Sequence, residues 1–129
     1  MSQVLDETAG RVLVEDLDQA TSWWGRFRGL MLRGELAAGR GLLIEPCSSI
    51  HMMFMRFPID AVFYDRDQRV TKVARRVRPW IGLSGGGRGA RGVIELPVGA
   101  ADGVEAGHQL RIGALRADEE SAVAIANPQ

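Results

Sequence analysis

The sequence predicts a mainly β domain, a compact antiparallel β-barrel or sandwich with one short N-terminal helix. Two observations point to β structure: short extended candidates recur along the chain, and turn chemistry separates them. The third is that helical periodicity is convincing in only one stretch.

The elements follow in order. "RVLVED" (11–16) alternates like a short strand. In "DQATSWWGRFRGLMLRG" (18–34), Trp23, Trp24, Phe27, Leu30 and Met31 fall at i, i+1, i+4, i+7 and i+8, one face of a helix. Asp18 or Thr21 can cap its start and Gly34 suits its end. Both tryptophans read as core packing rather than as a ligand platform. The extended candidates beyond are "GLLIEP" (41–46), "IHMMFMRF" (50–57), "IDAVFY" (59–64), "RVTKVARRV" (69–77), "GVIEL" (92–96) and "QLRIGAL" (109–115). Pro46, Pro58, "DRDQ" (65–68), the glycine-rich 82–92 and "GVEAG" (103–107) punctuate them. "FYDRDQRV" reads as a hairpin whose Asp65 and Asp67 are able to bond their own backbone in the turn. The tail from 117 to 129 is expected to fray.

At 129 residues the chain fits one domain, 1–129, able to bury a core without staples. Sixteen basic residues balance sixteen acidic ones, so there is no global field for nucleic acid or an anionic membrane. One cysteine forms no internal disulfide. The first ten residues lack the basic and apolar regions of a secretory signal. No apolar run approaches the roughly 20 residues of a membrane span. A soluble cytoplasmic protein with no membrane partner is expected.

The stretch "CSSIHMMFMRFPID" (47–60) concentrates reactive side chains. On a helix Cys47 and His51 would be neighbours; on a strand they lie about 13 Å apart, at about 3.3 Å per residue. A nucleophile and its base need about 3 Å. The β-like "IDAVFY" after Pro58 favours extended structure, which disfavours a local Cys47–His51 dyad and leaves Cys47 a buried thiol. Met53 and Met55 share a face while Met52 points away, so gap-filling outweighs a Cu(I) site. Neither a metal nor a cofactor is expected.

Arg56, Asp60 and Glu95 are charged residues set in apolar β segments. An unpaired buried charge is expensive, so Arg56 must find a carboxylate, water or an anionic ligand. Asp60 and Glu95 are its candidate partners. Two readings stay open: a salt bridge that fixes strand register, or a polar patch in a pocket with Arg56 as anion anchor.

"RGLM" (28–31), "IHMMFMRFPIDAVFYD" (50–65), "VIELPVGAADGVEAG" (93–107) and the following "HQL" together resemble a widespread bacterial and archaeal family, the domain of unknown function number one-hundred-ninety-two. The resemblance covers roughly residues 10 to 115. It implies a compact, mainly antiparallel β-barrel or sandwich-like domain with a short helix, and no established activity. His108 stands where relatives often place an aspartate, and "SGGGRGARG" (84–92) is longer and plainer than theirs. Many relatives carry export signals, so their localisation does not transfer. Arg28, His51, Arg56, Asp60 and Glu95 match the motifs and form the expected ligand-binding set.

"SGGGRGARG" lacks the Lys-Ser/Thr ending of a phosphate loop and reads as a flexible surface loop able to serve as a lid. Between 65 and 91 eight bases face two acids, Asp65 and Asp67, beside Trp80. A solvated strand face explains this better than single-stranded RNA binding. The favoured function is a small-molecule-binding or accessory domain taking a small anionic or polar ligand near Arg56, Asp60 and Glu95. The alternatives are a hydrolase-type enzyme using Cys47/His51 or the carboxylates, and a nucleic-acid or protein interaction module on the basic 69–91 region.

Overall fold

A computed structural model of the chain describes residues 2–20, 38–45, 49–51, 58–78 and 83–113. Their strands are β1 Gln3–Asp6, β2 Arg11–Val14, β3 Asp16–Ala20, β4 Arg40–Ile44, β5 Ser49–His51, β6 Ile59–Tyr64, β7 Val70–Val77, β8 Leu83–Gly85, β9 Gly92–Leu96 and β10 Leu110–Gly113. They form an antiparallel three-stranded sheet ordered β10-β1-β2, a five-stranded sheet ordered β3-β4-β9-β6-β7, and a two-stranded ribbon of β5 and β8.

The domain is mainly β and layered like a sandwich. Val4, Leu13, Val14 and Leu110 of the small sheet pack against Leu17, Leu43, Val62, Tyr64, Ile94 and Leu96 of the large one. The opposite face of the large sheet carries a second apolar cluster of Leu42, Ile44, Ile59, Ala61, Phe63, Val77 and Val93. β6 and β9 are therefore buried on both sides at every position. That explains why "IDAVFY" and "GVIEL" read as near-continuous apolar runs rather than alternating ones. Each fully buried valine, leucine or isoleucine there contributes about 1.5–3 kcal/mol.

The β6–β7 hairpin forms as the sequence predicts, with Asp65 rather than Asp67 supplying the side-chain bonds to the turn backbone. Asp65 Oδ1 accepts from the backbone N–H of Asp67 (2.9 Å) and Arg69 (3.0 Å), and Gln68 takes the left-handed φ of 61° that closes the turn. β6 and β9 match their expected limits, while β2, β4, β7 and β10 shift only at their ends. Three strands, β1, β3 and β8, went unpredicted.

Two expectations are corrected. The helix expected over 18–34 does not begin at Asp18. Asp18–Ala20 complete β3, which pairs in parallel with β4 and is the exception to an antiparallel sheet. Leu17 packs into the inter-sheet core, and Arg40 Nη2 donates across the strand pair to Asp18 Oδ2 at 3.0 Å. These tertiary contacts recruit the short "DLDQA" into the sheet edge. Residues 21–34 lie outside the described residues. The glycine-rich segment expected as a flexible loop is anchored at its centre. Gly86 is buried against Phe63, where an added Cβ would come within 2.3 Å of the ring. Thr71 Oγ1 donates to the Gly86 carbonyl at 2.8 Å.

Candidate functional site

Among the described residues three carboxylates are buried, Asp6, Asp60 and Glu95, and their hydrogen bonds sort them. Asp60 lies in β6 beside a bulge. Ile59 pairs with Val77 and Ala61 with Ala74, so Arg75 and Arg76 of β7 stand opposite Asp60 alone. Arg76 holds a left-handed φ of 53°, and its N–H donates to Asp60 Oδ1 at 3.0 Å. Asp60 Oδ2 accepts from the N–H groups of Gly99 (2.9 Å) and Ala101 (3.2 Å). The carboxylate thus ties the bulge to the loop 97–104 with three backbone bonds. Two arginines hold the carbonyl side of that loop. Arg75 Nη2 donates to Val104 O at 2.6 Å and to Ala101 O at 3.3 Å, while Arg11 Nη2 bonds the carbonyls of Ala100 and Asp102.

Asp6, at the end of β1, is also fully engaged. Its Oδ1 accepts from Ala9 N (3.1 Å), and its Oδ2 lies 2.9 Å from the His108 Nδ1 that donates to it. His108, the departure from the family pattern noted in the sequence, closes the small sheet onto the loop before β10.

Glu95 is the exception. It lies in β9, the middle strand of the five, between Leu42 of β4 and Ala61 of β6. Its exposure is 3%, and its Oε2 is buried with no hydrogen-bond partner among the described residues. Burial pushes the carboxyl up to about 8, because the apolar surroundings penalise the charged form. A buried polar atom left unbonded costs about 1–3 kcal/mol, so such atoms are rare and call for an explanation.

The structure does not bring Asp60 and Glu95 together. Asp60 pairs with Leu96 and Ala61 with Glu95 in one regular β6–β9 register, so the two carboxylates point to opposite faces. Asp60 faces the layer between the sheets; Glu95 joins the face of Leu42, Ala61 and Val93. Asp60 and Glu95 therefore do not form the carboxylate pair that the acid/base alternative invoked. The backbone of His51 is described, opposite Leu83 in the β5–β8 ribbon. That ribbon runs into Gly86, which sits on Phe63 of the Glu95 face. Arg28, Arg56, Cys47 and Trp80 lie outside the described residues.

One polar cluster had no clear sequence signal. Tyr64 Oη donates to Glu45 Oε2 at 2.5 Å, and Arg91 Nε donates to Glu45 Oε1 at 2.9 Å. The hydrogen bond from Tyr64, then that from Arg91, hold the Glu45 carboxyl below its ordinary value. Gly92 makes room for the phenol, since a Cβ there would lie 2.4 Å from Tyr64 Oη. The basic region is likewise partly occupied by structure. Arg69 Nη1 donates to Gly107 O at 3.0 Å, Arg75 clamps the 97–104 loop, and Arg91 pairs with Glu45. Among the described residues no group of three or more His, Cys, Asp or Glu is placed to hold a metal. Nor is any helix there long and apolar enough to cross a membrane.

Fold and site define a small two-layered β domain with, among the described residues, one unsatisfied acid on the middle strand of its larger sheet. The chain belongs to the DUF192 family, described as "Uncharacterized ACR", whose model matches residues 4–112. It is 34% identical over 103 residues to a UPF0127 protein of Thermococcus sibiricus, covering 77% of this chain and 66% of that one. It is 37% identical over 103 residues to a UPF0127 protein of Thermococcus gammatolerans, covering 74% and 64%. The chain thus spans just under two thirds of the length of these relatives. The fold is that of a crystallised protein of unknown function from Novosphingobium aromaticivorans, with TM-score 0.72, 24% identity and coverage of 85% of this chain and 82% of that one. A candidate transcription regulator from Sinorhizobium meliloti is similar in fold, with TM-score 0.71, 22% identity and coverage of 86% and 91%.

Proposed function

We propose that this protein is a non-catalytic, small-molecule-binding or accessory domain whose recognition group is Glu95. The observation that carries this reading is the buried Glu95 Oε2, which lacks a hydrogen-bond partner among the described residues. A ligand that fills this need recovers the energy of the unmade bond, so the group is arranged to favour a bound state. Asp60, which sequence reasoning grouped with Glu95, serves in this reading as the anchor of the 97–104 loop. Arg28, His51 and Arg56 remain in this reading as the candidate residues that would join Glu95 in holding the ligand.

Thermal-shift screening of wild type, Glu95→Leu and Arg56→Ala against small polar metabolites tests the proposal. A ligand at a hundredfold excess over its Kd raises stability by about 2.7 kcal/mol. Wild type is expected to gain that stabilisation and Glu95→Leu to lose it. If no metabolite stabilises wild type, the reading falls.

A further inference from the structure

The described cations divide into two groups. Arg11, Arg40, Arg69, Arg75, Arg91 and Arg111 each donate to a carbonyl or a carboxylate. Arg66, Lys72, Arg76, Arg78 and Arg88 are exposed, and among the described residues their side chains have no ion-pair or hydrogen-bond partner. These five share one place. β7 is an edge of the five-stranded sheet; Arg66 lies in the turn before it, Lys72 and Arg76 within it and Arg78 directly after it. The loop that carries Arg88 is tethered to the same strand. Thr71 Oγ1 bonds the Gly86 carbonyl, and a Cβ on Gly87 would lie 4.0 Å from that of Lys72.

Little negative charge offsets them. Asp65 is turned onto backbone N–H groups of its own hairpin, which leaves Asp67 as the other acid of that turn. Asp102 and Glu105 are exposed on and just after the loop that Arg75 clamps, and pair with none of the five. Edge strands carry charges that discourage pairing with another chain, but two other edges balance theirs. Asp16 and Asp18 of β3 meet Arg40, and Arg111 of β10 meets Glu7. Like charges left together repel and destabilise the compact state, so a row of unpaired ones exceeds what edge protection requires. In a chain of zero net charge this is a local field.

We propose that the β7 edge, with the 86–91 loop laid on it, binds the phosphate backbone of a nucleic acid without reading its sequence, at a surface independent of Glu95. The row is one strand wide and, at about 3.3 Å per residue, about 25 Å long. A single phosphate compound engages only one end of it. A membrane presents a plane of charge, of which such a row meets only a line. Each strand of a duplex carries a charge about every 3.4 Å along the axis, so phosphates meet the row in any register. No aromatic side chain is exposed among the described residues, so the contact is with phosphates rather than stacked bases.

Fluorescence anisotropy of a labelled mixed-sequence DNA of about 20 nucleotides, as duplex and as single strand, tests this with the full chain between about 50 and 200 mM NaCl. Duplex binding is expected in the micromolar range at the lower salt. The slope of log K against log salt should be about −3 to −4.5, for three to five phosphates at about 0.9 each. The single strand should follow a shallower slope, about 0.7 per phosphate. Arg66→Gln, Lys72→Gln and Arg88→Gln combined in one chain lie outside the bulge. They should weaken binding at least about tenfold and reduce the slope by about 2 to 3. Arg111→Gln, drawn from the bonded group, should change Kd by less than about twofold. The wild-type salt slope needs no variant, so it decides the matter even if the triple variant fails to fold. No binding at the lower salt, a slope near zero, or a folded triple variant that binds like wild type would overturn the proposal. So would tighter binding to polyglutamate or to phosphatidylglycerol vesicles than to DNA, which would assign the edge to an acidic protein or a membrane surface.

Discussion

Asp60 and Glu95 lie on neighbouring strands, both almost free of solvent, and do opposite things. Asp60 faces the layer between the sheets and accepts three backbone N–H bonds from Arg76, Gly99 and Ala101. Glu95 faces the other side of the same sheet, its Oε2 without a hydrogen-bond partner among the described residues. Burial alone therefore does not sort the two acids. Hydrogen-bond satisfaction does: an acid whose lone pairs are filled by backbone fixes a loop, whereas one left unbonded calls for an explanation, which the proposed binding role would supply.

The sharpest way to break this contrast is at Asp60. Asp60→Ala strands three backbone donors and frees the bulge, and it is expected to cost about 3–5 kcal/mol in urea unfolding. A loss below about 1 kcal/mol would remove the claim that this acid is structural.

Glu95 is expected to behave in the reverse sense, with a pH dependence whose sign is fixed. Its folded value is raised from 4.5 to about 8, so the folded chain holds a proton that the unfolded chain releases in between. Its contribution to stability is full below pH 4.5, declines as pH rises through that window and is gone above about 8. At about 1.4 kcal/mol per pKa unit, the decline is on the order of a few kcal/mol. Denaturation at pH 5, 6, 7 and 8.5 should show this slope in wild type and not in Glu95→Gln. Identical slopes in the two proteins would mean that Glu95 is already ionised in the fold.

Smaller changes probe the packing on either side. Gly86→Ala drives a methyl into the Phe63 ring on the Glu95 face, and Gly92→Ala drives one into the Tyr64 phenol on the opposite face. Each is expected to cost about 1–3 kcal/mol, read as a lowered melting temperature. Tyr64→Phe removes the bond to Glu45, and its expected cost is about 1 kcal/mol. The Glu45 carboxyl should then titrate higher by NMR, since that bond is the largest cause of its lowered value. The mildest test is Arg76→Gly. Relief of the left-handed φ of 53° offsets the added freedom of glycine in the unfolded chain, so stability should move by about 0.5 kcal/mol or less.

Much of the fold was legible because its signals are local. Pro58 and the aspartates at 65 and 67 bound "IDAVFY" and its hairpin, and a two-sided apolar run needs no alternation to declare a central strand. The short strands β1, β3 and β8 escaped because three to five residues carry too little periodicity to stand above a loop. β3 was further masked by the helical spacing that starts at Trp23, which made Asp18 look like a cap. Glu95 stood out as an acid between Ile94 and Leu96. Tyr64, Glu45 and Arg91 did not stand out, because their meeting depends on which strand ends the sheet places side by side.

By itself the sequence determined that this chain is a mainly β domain of the DUF192 family and that Asp60 and Glu95 are acids in apolar strands. Residue type and spacing carry that much, since the tendency to bury or to turn belongs to a segment of a few residues. Only the tertiary structure decided that the two acids part company. Their faces follow from the register between β6 and β9, and their satisfaction depends on a loop some forty residues from Asp60 in the chain folding back to meet one and not the other.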